Sequence, residues 1–143
     1  MSTQTRIPEL SDEQIKDTLQ AAKTIAVVGL SDDPSRPSYG VANYLQNHGY
    51  RIVPVSPKGG QILGEQAYPD LPSVPFDVDI VDVFRRPEAV GPHVDEAIEK
   101  GAKMVWLQLG IRNDEAAQKA NDAGLDVVQD RCLKIEHMRL VRD

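Results

Sequence analysis

The chain has 143 residues, of which 41% are hydrophobic and 27% are charged, and its formal net charge is −6 at pH 7. This length and hydrophobic content suit one soluble domain with its own core. The acidic balance and the 5% of aromatic residues argue against a nonspecific nucleic-acid binder, which needs a basic surface and stacking platforms. No apolar run approaches the roughly 20 residues that span a bilayer, and the N-terminus has no secretory signal. The one cysteine, Cys132, cannot form an intramolecular disulfide, so we expect a cytoplasmic protein.

Strand and helix patterns alternate along the chain. The first helix follows a capping box that begins at Ser11, and its apolar residues Ile15 and Leu19 recur at helical spacing. Later helices are predicted from near Tyr39 to Gly49, over 88–100, over 113–123 and over 133–140. Runs rich in β-branched residues predict strands over 24–28, 51–55, 79–84, 104–107 and 126–128, and a turn-rich segment covers 56–75.

Five short strands that alternate with helices imply right-handed βαβ units. We therefore predict an α/β protein with a single doubly wound domain, in which a five-stranded, mainly parallel sheet carries helices on both faces. The domain is expected to cover residues 1–143, with residues 1–22 contributing an N-terminal helix that packs on it. Ligands of such sheets bind outside the carboxyl ends of the strands, so the residues that follow each strand are the candidates for a site.

The first strand ends at Gly29-Leu30-Ser31, and a turn rich in proline and serine leads from there into the second helix. A strand that ends in glycine and feeds a helix builds an anion site in α/β proteins, because the first N–H groups of the helix have no internal partner. Asp32 and Asp33 are interpreted as turn residues whose side chains accept hydrogen bonds from nearby backbone N–H groups. The turn therefore predicts a nucleotide-like ligand.

The commonest nucleotides fit this turn poorly. Gly29 supplies only the first glycine of a dinucleotide fingerprint, and the second strand ends at Val55-Ser56-Pro57-Lys58, without the acid that holds ribose hydroxyls in NAD enzymes. Lys58 suits a phosphate, so an NADP-linked oxidoreductase stays open as an alternative. The sequence contains no P-loop. Asp82 lies inside the third strand rather than at its end, which argues against a receiver domain.

Positive charge collects at the predicted ligand side of the sheet, although the whole chain is acidic. At least one cation follows each strand, and these residues are Arg36, Lys58, Arg85, Arg86, Arg112 and Arg131. The acidic residues concentrate on the predicted helices instead. This separation predicts a ligand with several negative charges at the carboxyl rim of the sheet.

Several motifs in a fixed order resemble the small stand-alone CoA-binding domain proteins. They are Val27-Val28-Gly29-Leu30-Ser31, Pro34 to Tyr39, Tyr50 to Pro57, Ile62-Leu63-Gly64, Asp79 to Arg86, Val105 to Gly110 and Asp130-Arg131-Cys132. The likeness covers nearly the whole chain. The resemblance implies a Rossmann-like fold, related to the CoA-binding domain of the succinyl-CoA synthetase α subunit, and it implies coenzyme A, or an acyl-CoA, as the ligand.

The resemblance also implies which residues hold the pyrophosphate of coenzyme A. The segment Gly29-Leu30-Ser31 would place its backbone N–H groups against the pyrophosphate. Arg36, Ser38 and Tyr39 would close that turn. Tyr39 is open to a second interpretation, in which it only packs at the start of the helix.

Further residues are implied for the rest of the ligand. The segment Val55-Ser56-Pro57-Lys58 would flank the adenosine, with Lys58 as the partner of the 3′-phosphate. The segment Phe84-Arg85-Arg86 would line the next stretch, and Gln108 and Gly110 would lie in the loop after the fourth strand. Ser56 stands where the family frequently has asparagine, which shortens the reach of the polar group. Trp106 lies in a buried strand pattern and is expected in the core.

The sequence shows no evident set of acid, base and nucleophile, which favours a binding or regulatory module over a catalyst. The related synthetases use a phosphohistidine in a second domain, and the three histidines of this chain have no triad-like or metal-ligand spacing. No metal is expected, and no membrane or nucleic acid is expected as a partner. A subunit of a CoA ligase that acts only with a partner chain stays open. Cys132 could approach the thiol of coenzyme A and form a mixed disulfide, or it could be a small buried residue.

Overall fold

The computed structural model describes residues 9–141, so the predicted domain range 1–143 includes ten residues outside the described part. The helices are α1 (Asp12–Ala21), α2 (Pro37–Asn47), α3 (Val90–Lys100), α4 (Asp114–Asp122) and α5 (Leu133–Leu140). The strands are β1 (Thr24–Val28), β2 (Arg51–Val55), β3 (Gln61–Ile62), β4 (Glu65–Gln66), β5 (Ile80–Val83), β6 (Met104–Leu107) and β7 (Asp126–Val128). No helix among these residues is long and apolar enough to cross a membrane.

The main sheet has the strand order β2-β1-β5-β6-β7, and every neighbouring pair is parallel. This confirms the predicted doubly wound α/β fold with five parallel strands. The chain builds the sheet outwards from β1 in one direction and then from β5 in the other. Strand order therefore reverses between β1 and β5, which is where sheets of this kind bind ligands.

Helices cover both faces of the sheet, as predicted. On one face, residues such as Val81 pack against Val94 of α3 and Ala117 of α4. On the other face, a second core of buried side chains joins the sheet to α1, α2 and α5. Trp106 belongs to this second core, is fully buried, and donates its indole N–H to the carbonyl oxygen of Arg131 over 2.8 Å. Its predicted place in the core is confirmed.

The N-terminal helix begins at the predicted capping box. The hydroxyl of Ser11 accepts the N–H of Gln14 over 3.1 Å, and the side-chain oxygen of Gln14 accepts the N–H of Ser11 over 2.8 Å. Ile15 and Leu19 bury the inner face of α1 in the second core. Because α1 also packs against α5, it is joined to the domain through both the sheet and a helix.

Several bounds differ from the predicted elements: β5 covers Ile80–Val83 rather than 79–84, α4 covers Asp114–Asp122 rather than 113–123, and α2 ends at Asn47 rather than near Gly49. Helix α2 begins at Pro37 rather than near Tyr39, because proline is well suited to the first helical position. Helix α3 begins at Val90, after a short 3₁₀ turn over Pro87–Ala89. The turn-rich segment 56–75 contains the antiparallel hairpin of β3 and β4. Its strands have only two residues each, so they carry too little periodicity for sequence-based detection.

Candidate functional site

Strands β1, β2 and β5 meet at Gly29. The N–H of Gly29 donates to the carbonyl oxygen of Val55 over 2.9 Å, which extends the pairing of β1 with β2 by one residue. Its φ of +85° is unfavourable for residues with a side chain, and a Cβ atom there would overlap the carbonyl oxygen of Phe84. The same Cβ position lies 3.2 Å from the Cδ atom of Arg85, so the stem of Arg85 runs beside this turn.

Side-chain hydrogen bonds fix the loop between β1 and α2. The N–H of Ser31 donates to the hydroxyl of Ser38 over 3.0 Å, and the hydroxyl of Ser31 accepts the N–H of Asp33 over 3.0 Å. The carboxylate of Asp33 accepts the N–H of Ser35 over 2.9 Å, and this bond and the bond from the Ser35 hydroxyl lower the pKa of Asp33. Asp33 therefore acts as the turn residue that the sequence predicts.

Helix α2 begins at this loop without a side-chain cap from Arg36, the residue at its N-cap position. Pro37 follows at the first helical position and has no N–H. By contrast, α1 is capped by Ser11 and α4 by Asn113. The N–H groups of Tyr39 and Gly40 donate to the carbonyl oxygen of Arg36 over 3.1 and 3.4 Å, which leaves the N–H of Ser38 at this start. That N–H and the positive end of the helix dipole together favour an anion.

A cavity of about 310 Å³ opens at this helix start. Its lining residues come from the end of β1, the start of α2 and the end of β5, and they are Gly29, Ser31, Arg36, Pro37, Ser38 and Phe84. Five of these six are predicted site residues, and Pro37 is the one that sequence reasoning missed. Its sequence signal is its place within the motif from Pro34 to Tyr39, between two predicted residues.

The cations at the rim fall into two groups. On the side of β6 and β7 the arginines are paired, since Arg112 lies 3.1 Å from Asp114 and Arg131 lies 3.1 Å from Glu9. On the other side, Arg36, Lys58 and Arg85 form no ion pair within 4.0 Å among residues 9–141. Arg86 sits between the groups, with a long and exposed contact of 3.9 Å to Glu88. The unpaired positive charge therefore lies at the ends of β1, β2 and β5.

The exit of β2 is a rigid turn with an exposed end. Val55 and Ser56 are buried, whereas Pro57 and Lys58 are exposed. The N–H of Ser56 donates to the carbonyl oxygen of Tyr68 over 2.8 Å, and the hydroxyl of Ser56 accepts the N–H of Lys58 over 3.4 Å. Lys58 therefore extends from a turn whose backbone is hydrogen-bonded at Ser56 and at Lys58 itself.

Several predicted contact groups are already engaged within the protein. Of the three backbone N–H groups predicted for the pyrophosphate, those of Gly29 and Ser31 donate to Val55 and Ser38. Leu30 has a side chain that is only 2% exposed and belongs to the second core. Tyr39 is half-buried and packs against the same core.

The loop after β6 is also bonded internally. Gln108 is buried, and its side-chain oxygen accepts the N–H of Leu133 at the start of α5 over 3.1 Å. The N–H of Gly110 donates to the carboxylate of Asp130 over 2.7 Å. These two residues therefore lie at the predicted rim, but the structure joins these particular groups to the loop after β7.

The described residues contain no candidate metal centre. Within residues 9–141, no group of three or more His, Cys, Asp and Glu side chains could hold a metal ion. Cys132 is half-buried at the N-cap position of α5 and is a free thiol.

Comparisons with known proteins show the family of the chain. The uncharacterized protein YneT of Bacillus subtilis is 42% identical over 127 residues, which are 89% of this chain and 94% of that protein. A hypothetical protein of known structure from Pyrococcus horikoshii is 42% identical, with a TM-score of 0.91 over 99% of this chain and 100% of that one. The alpha subunit of ADP-forming acetate–CoA ligase II of Pyrococcus furiosus is 27% identical over 122 residues, and the match spans 27% of that subunit. A family model described as a CoA binding domain matches residues 23–138, and the chain therefore belongs to the CoA-binding domain family.

Proposed function

We propose that this protein binds coenzyme A, or an acyl-CoA, as a non-catalytic binding or regulatory module. The observation that carries the proposal is the cavity where the uncapped start of α2 meets the glycine turn after β1, with unpaired cations around it. Coenzyme A is a polyanion with a pyrophosphate and a 3′-phosphate. A cavity with positive charge on three neighbouring strand ends fits such a ligand.

The pyrophosphate is assigned to the start of α2. Ser31 and Ser38 each accept one backbone N–H through the hydroxyl oxygen, so each hydroxyl keeps its own proton for a further acceptor. These two O–H donors, together with the N–H of Ser38 at the helix start and the guanidinium groups of Arg36 and Arg85, supply the donors that an anion needs. The proposal thus replaces two of the three expected backbone donors with side-chain hydroxyls.

The 3′-phosphate is assigned to Lys58 at the end of β2. This residue is exposed, has no ion pair among residues 9–141, and extends from a turn held by Ser56. An ammonium group on a flexible stem suits a terminal phosphate, because it can donate to several oxygens.

The proposal is tested by thermal unfolding with increasing coenzyme A. A ligand at 100 times its dissociation constant adds about 2.7 kcal/mol to the free energy of unfolding, so the melting temperature should rise by several degrees. NADP, which carries a phosphate on ribose but no pantetheine arm, serves as the competitor. Stabilisation by NADP with none by coenzyme A would refute the proposal.

The assignment of Lys58 has its own test. In Lys58→Glu, the affinity for coenzyme A should fall at least tenfold more than the affinity for dephospho-CoA, since only the first ligand carries the 3′-phosphate; this corresponds to about 1.4 kcal/mol. Lys103→Glu is the matched control, because Lys103 is exposed just before β6, at the amino ends of the strands and therefore away from the candidate site. Equal losses for both ligands in the Lys58 variant would remove this residue from the phosphate site.

A second candidate function is that of a CoA-ligase subunit that acts with a partner chain. The match to a ligase alpha subunit, of which this chain spans 27%, favours it. The two functions differ in what the isolated protein does. Co-purification of a stoichiometric partner, together with ligase activity of the complex, would support the second function, whereas a chain that binds coenzyme A and elutes without a partner supports the first.

A further inference from the structure

Asp82 is a polar side chain that the fold leaves without a partner. It is 0% exposed in the middle of the sheet, and neither of its carboxylate oxygens has a hydrogen-bond partner among residues 9–141. Its neighbours in register are Val27 of β1 and Trp106 of β6. Burial raises the pKa of Asp82 well above its usual range, which favours the neutral acid. A neutral carboxyl group carries an O–H donor, and here that donor has no acceptor.

Asp82 comes two residues before Phe84, which lines the proposed ligand cavity, although Asp82 itself is not among the lining residues. Side chains alternate along a strand, so Asp82 and Phe84 project from the same face of the sheet, about 7 Å apart along the chain. The N–H of Phe84 donates to the carbonyl oxygen of Val28 over 2.8 Å, so the strand pairing continues to this residue. Phe84 is half-buried and lines the cavity together with Gly29 and Ser38.

Other buried polar side chains cluster at the same rim. Among residues 9–141, five polar side chains are buried, and four of them lie at or near the carboxyl ends of the strands: Ser38, Ser56, Asp82 and Gln108. Helices α2 and α5 both begin at this rim and pack against each other. Asp82 and Gln108 follow the alternation of Trp106 and its neighbours, so both project towards the face of the sheet that α2 and α5 cover.

We propose that Asp82, as a neutral acid, donates a hydrogen bond to an amide carbonyl in the pantetheine arm of coenzyme A. The arm would reach Asp82 between the starts of α2 and α5 when the ring of Phe84 turns aside. The inference rests on the proposed function. Pantetheine contains two amides, and an apolar trough would leave their polar groups unpaired. A neutral acid satisfies one carbonyl without placing a negative charge near the phosphates.

Binding measurements on three variants test this role. Asp82→Leu removes the donor, Asp82→Asn keeps a neutral side chain with an N–H donor, and Ile80→Val is the control on the same face of β5. The ligands are coenzyme A and adenosine 3′,5′-bisphosphate, which lacks the arm. We expect Asp82→Leu to lose about five- to tenfold in affinity for coenzyme A and nothing for the bisphosphate. Asp82→Asn and Ile80→Val should stay within about threefold of the wild type for both ligands.

A spectroscopic measurement on the wild type keeps the inference testable if Asp82→Leu does not fold. The infrared carbonyl band of the protonated acid, identified by its loss in Asp82→Asn, should shift on addition of coenzyme A and stay in place with the bisphosphate. An unshifted band, or unchanged affinity of Asp82→Leu for coenzyme A, would overturn the role of Asp82. Equal losses for both ligands would also overturn it. A wild type that binds neither ligand would instead refute the proposed function.

Discussion

Gly29 joins the fold to the candidate site. Its positive φ and its closeness to the carbonyl oxygen of Phe84 leave no room for a side chain. The stem of Arg85 also runs beside this turn, with its Cδ atom 3.2 Å from the position that a Cβ atom of residue 29 would take. The backbone at one residue therefore determines how closely β1 and β5 approach each other at the point where strand order reverses.

Replacement of Gly29 should destabilise the fold through both steric overlap and backbone strain. The same substitution at a second glycine, where only the strain acts, separates the two causes. We expect Gly29→Ala to lower the free energy of unfolding by about 2–4 kcal/mol, because steric overlap adds to the strain of a positive φ. Gly49→Ala is the control, since Gly49 has a φ of +95° and a Cβ atom there would meet no non-neighbouring atom within 4 Å, so its loss should be about 1 kcal/mol. Urea denaturation measures both values. Equal losses would show that the overlap with Phe84 is relieved at no cost.

The buried acid Asp82 predicts a pH dependence of stability. Its pKa is raised in the folded state, whereas the unfolded reference is 3.8, so the folded protein holds this proton more tightly. Its contribution to stability is therefore complete below about pH 4 and decreases as the pH rises towards the folded pKa, by at most about 1.4 kcal/mol per pH unit. Asp82→Asn does not titrate, so its stability relative to the wild type should increase from pH 4 to pH 7. Urea denaturation across this range measures the difference, and a constant difference would contradict the raised pKa.

At the scale of elements, the helix starts differ in whether a side chain holds them. Some are fixed by a side-chain hydrogen bond, whereas the start of α2 has no side-chain cap and lies at the cavity. Helix α4 is capped by Asn113, whose side-chain oxygen accepts the N–H of Ala116 over 3.0 Å and whose amide nitrogen donates to the carbonyl oxygen of Pro87 over 2.8 Å. The start of α5 is held by Gln108, the residue after β6. Among the helices described, the start of α2 combines an uncapped N-cap position with a cavity lined by the residues around it.

The two bonds of Asn113 can be separated by substitution. Asn113→Ala removes both and should lower the free energy of unfolding by about 2 kcal/mol. Asn113→Asp keeps the oxygen that caps α4 and removes only the donor to Pro87, so about half of that loss should remain. Thermal unfolding of the two variants measures the ratio. Equal destabilisation by both would mean that the cap contributes nothing and that the anchor to Pro87 accounts for the whole effect.

The regular elements could be predicted from the sequence because each has a periodic signal. The strands over 24–28, 51–55, 104–107 and 126–128 match the structure, since each is a short apolar run between turn residues. The hairpin of β3 and β4 could not be predicted, because its two-residue strands depend on pairing with distant backbone. In particular, the N–H of Tyr68 donates to the carbonyl oxygen of Pro54 over 3.0 Å.

The candidate site was predictable only in part for a similar reason. Gly29, Ser31, Arg36 and Ser38 are close in sequence, and the structure brings them together around one cavity, so a local pattern was enough to predict that they lie side by side. Whether a cation at the rim is free depends on partners that are far away along the chain. Glu9 lies beside Arg131 only because α1 packs next to α5. The same holds for the bond between Gln108 and the start of α5, which no local pattern encodes.

For the whole molecule, the net negative charge contrasts with a group of unpaired cations on neighbouring strand ends. The chain carries a net charge of −6, yet Arg36, Lys58 and Arg85 are unpaired among residues 9–141 and lie on neighbouring strand ends. The arginines near β6 and β7 are neutralised by acids instead. An approaching polyanion therefore meets a repulsive molecule at long range and an attractive surface at short range.

This arrangement gives the rate and the strength of binding opposite responses to salt. At an ionic strength of 0.01 M the Debye length is about 30 Å, so coenzyme A would sense the net negative charge of the domain during encounter; at 0.1 M it is about 10 Å, and mainly the nearby cations act. Added salt in this range should therefore speed association while it accelerates dissociation even more, because the contacts with the cations weaken. Stopped-flow measurements that follow the intrinsic fluorescence of Trp106 would resolve the two rates. An association rate that falls with salt throughout would mean that the local cations dominate at every distance.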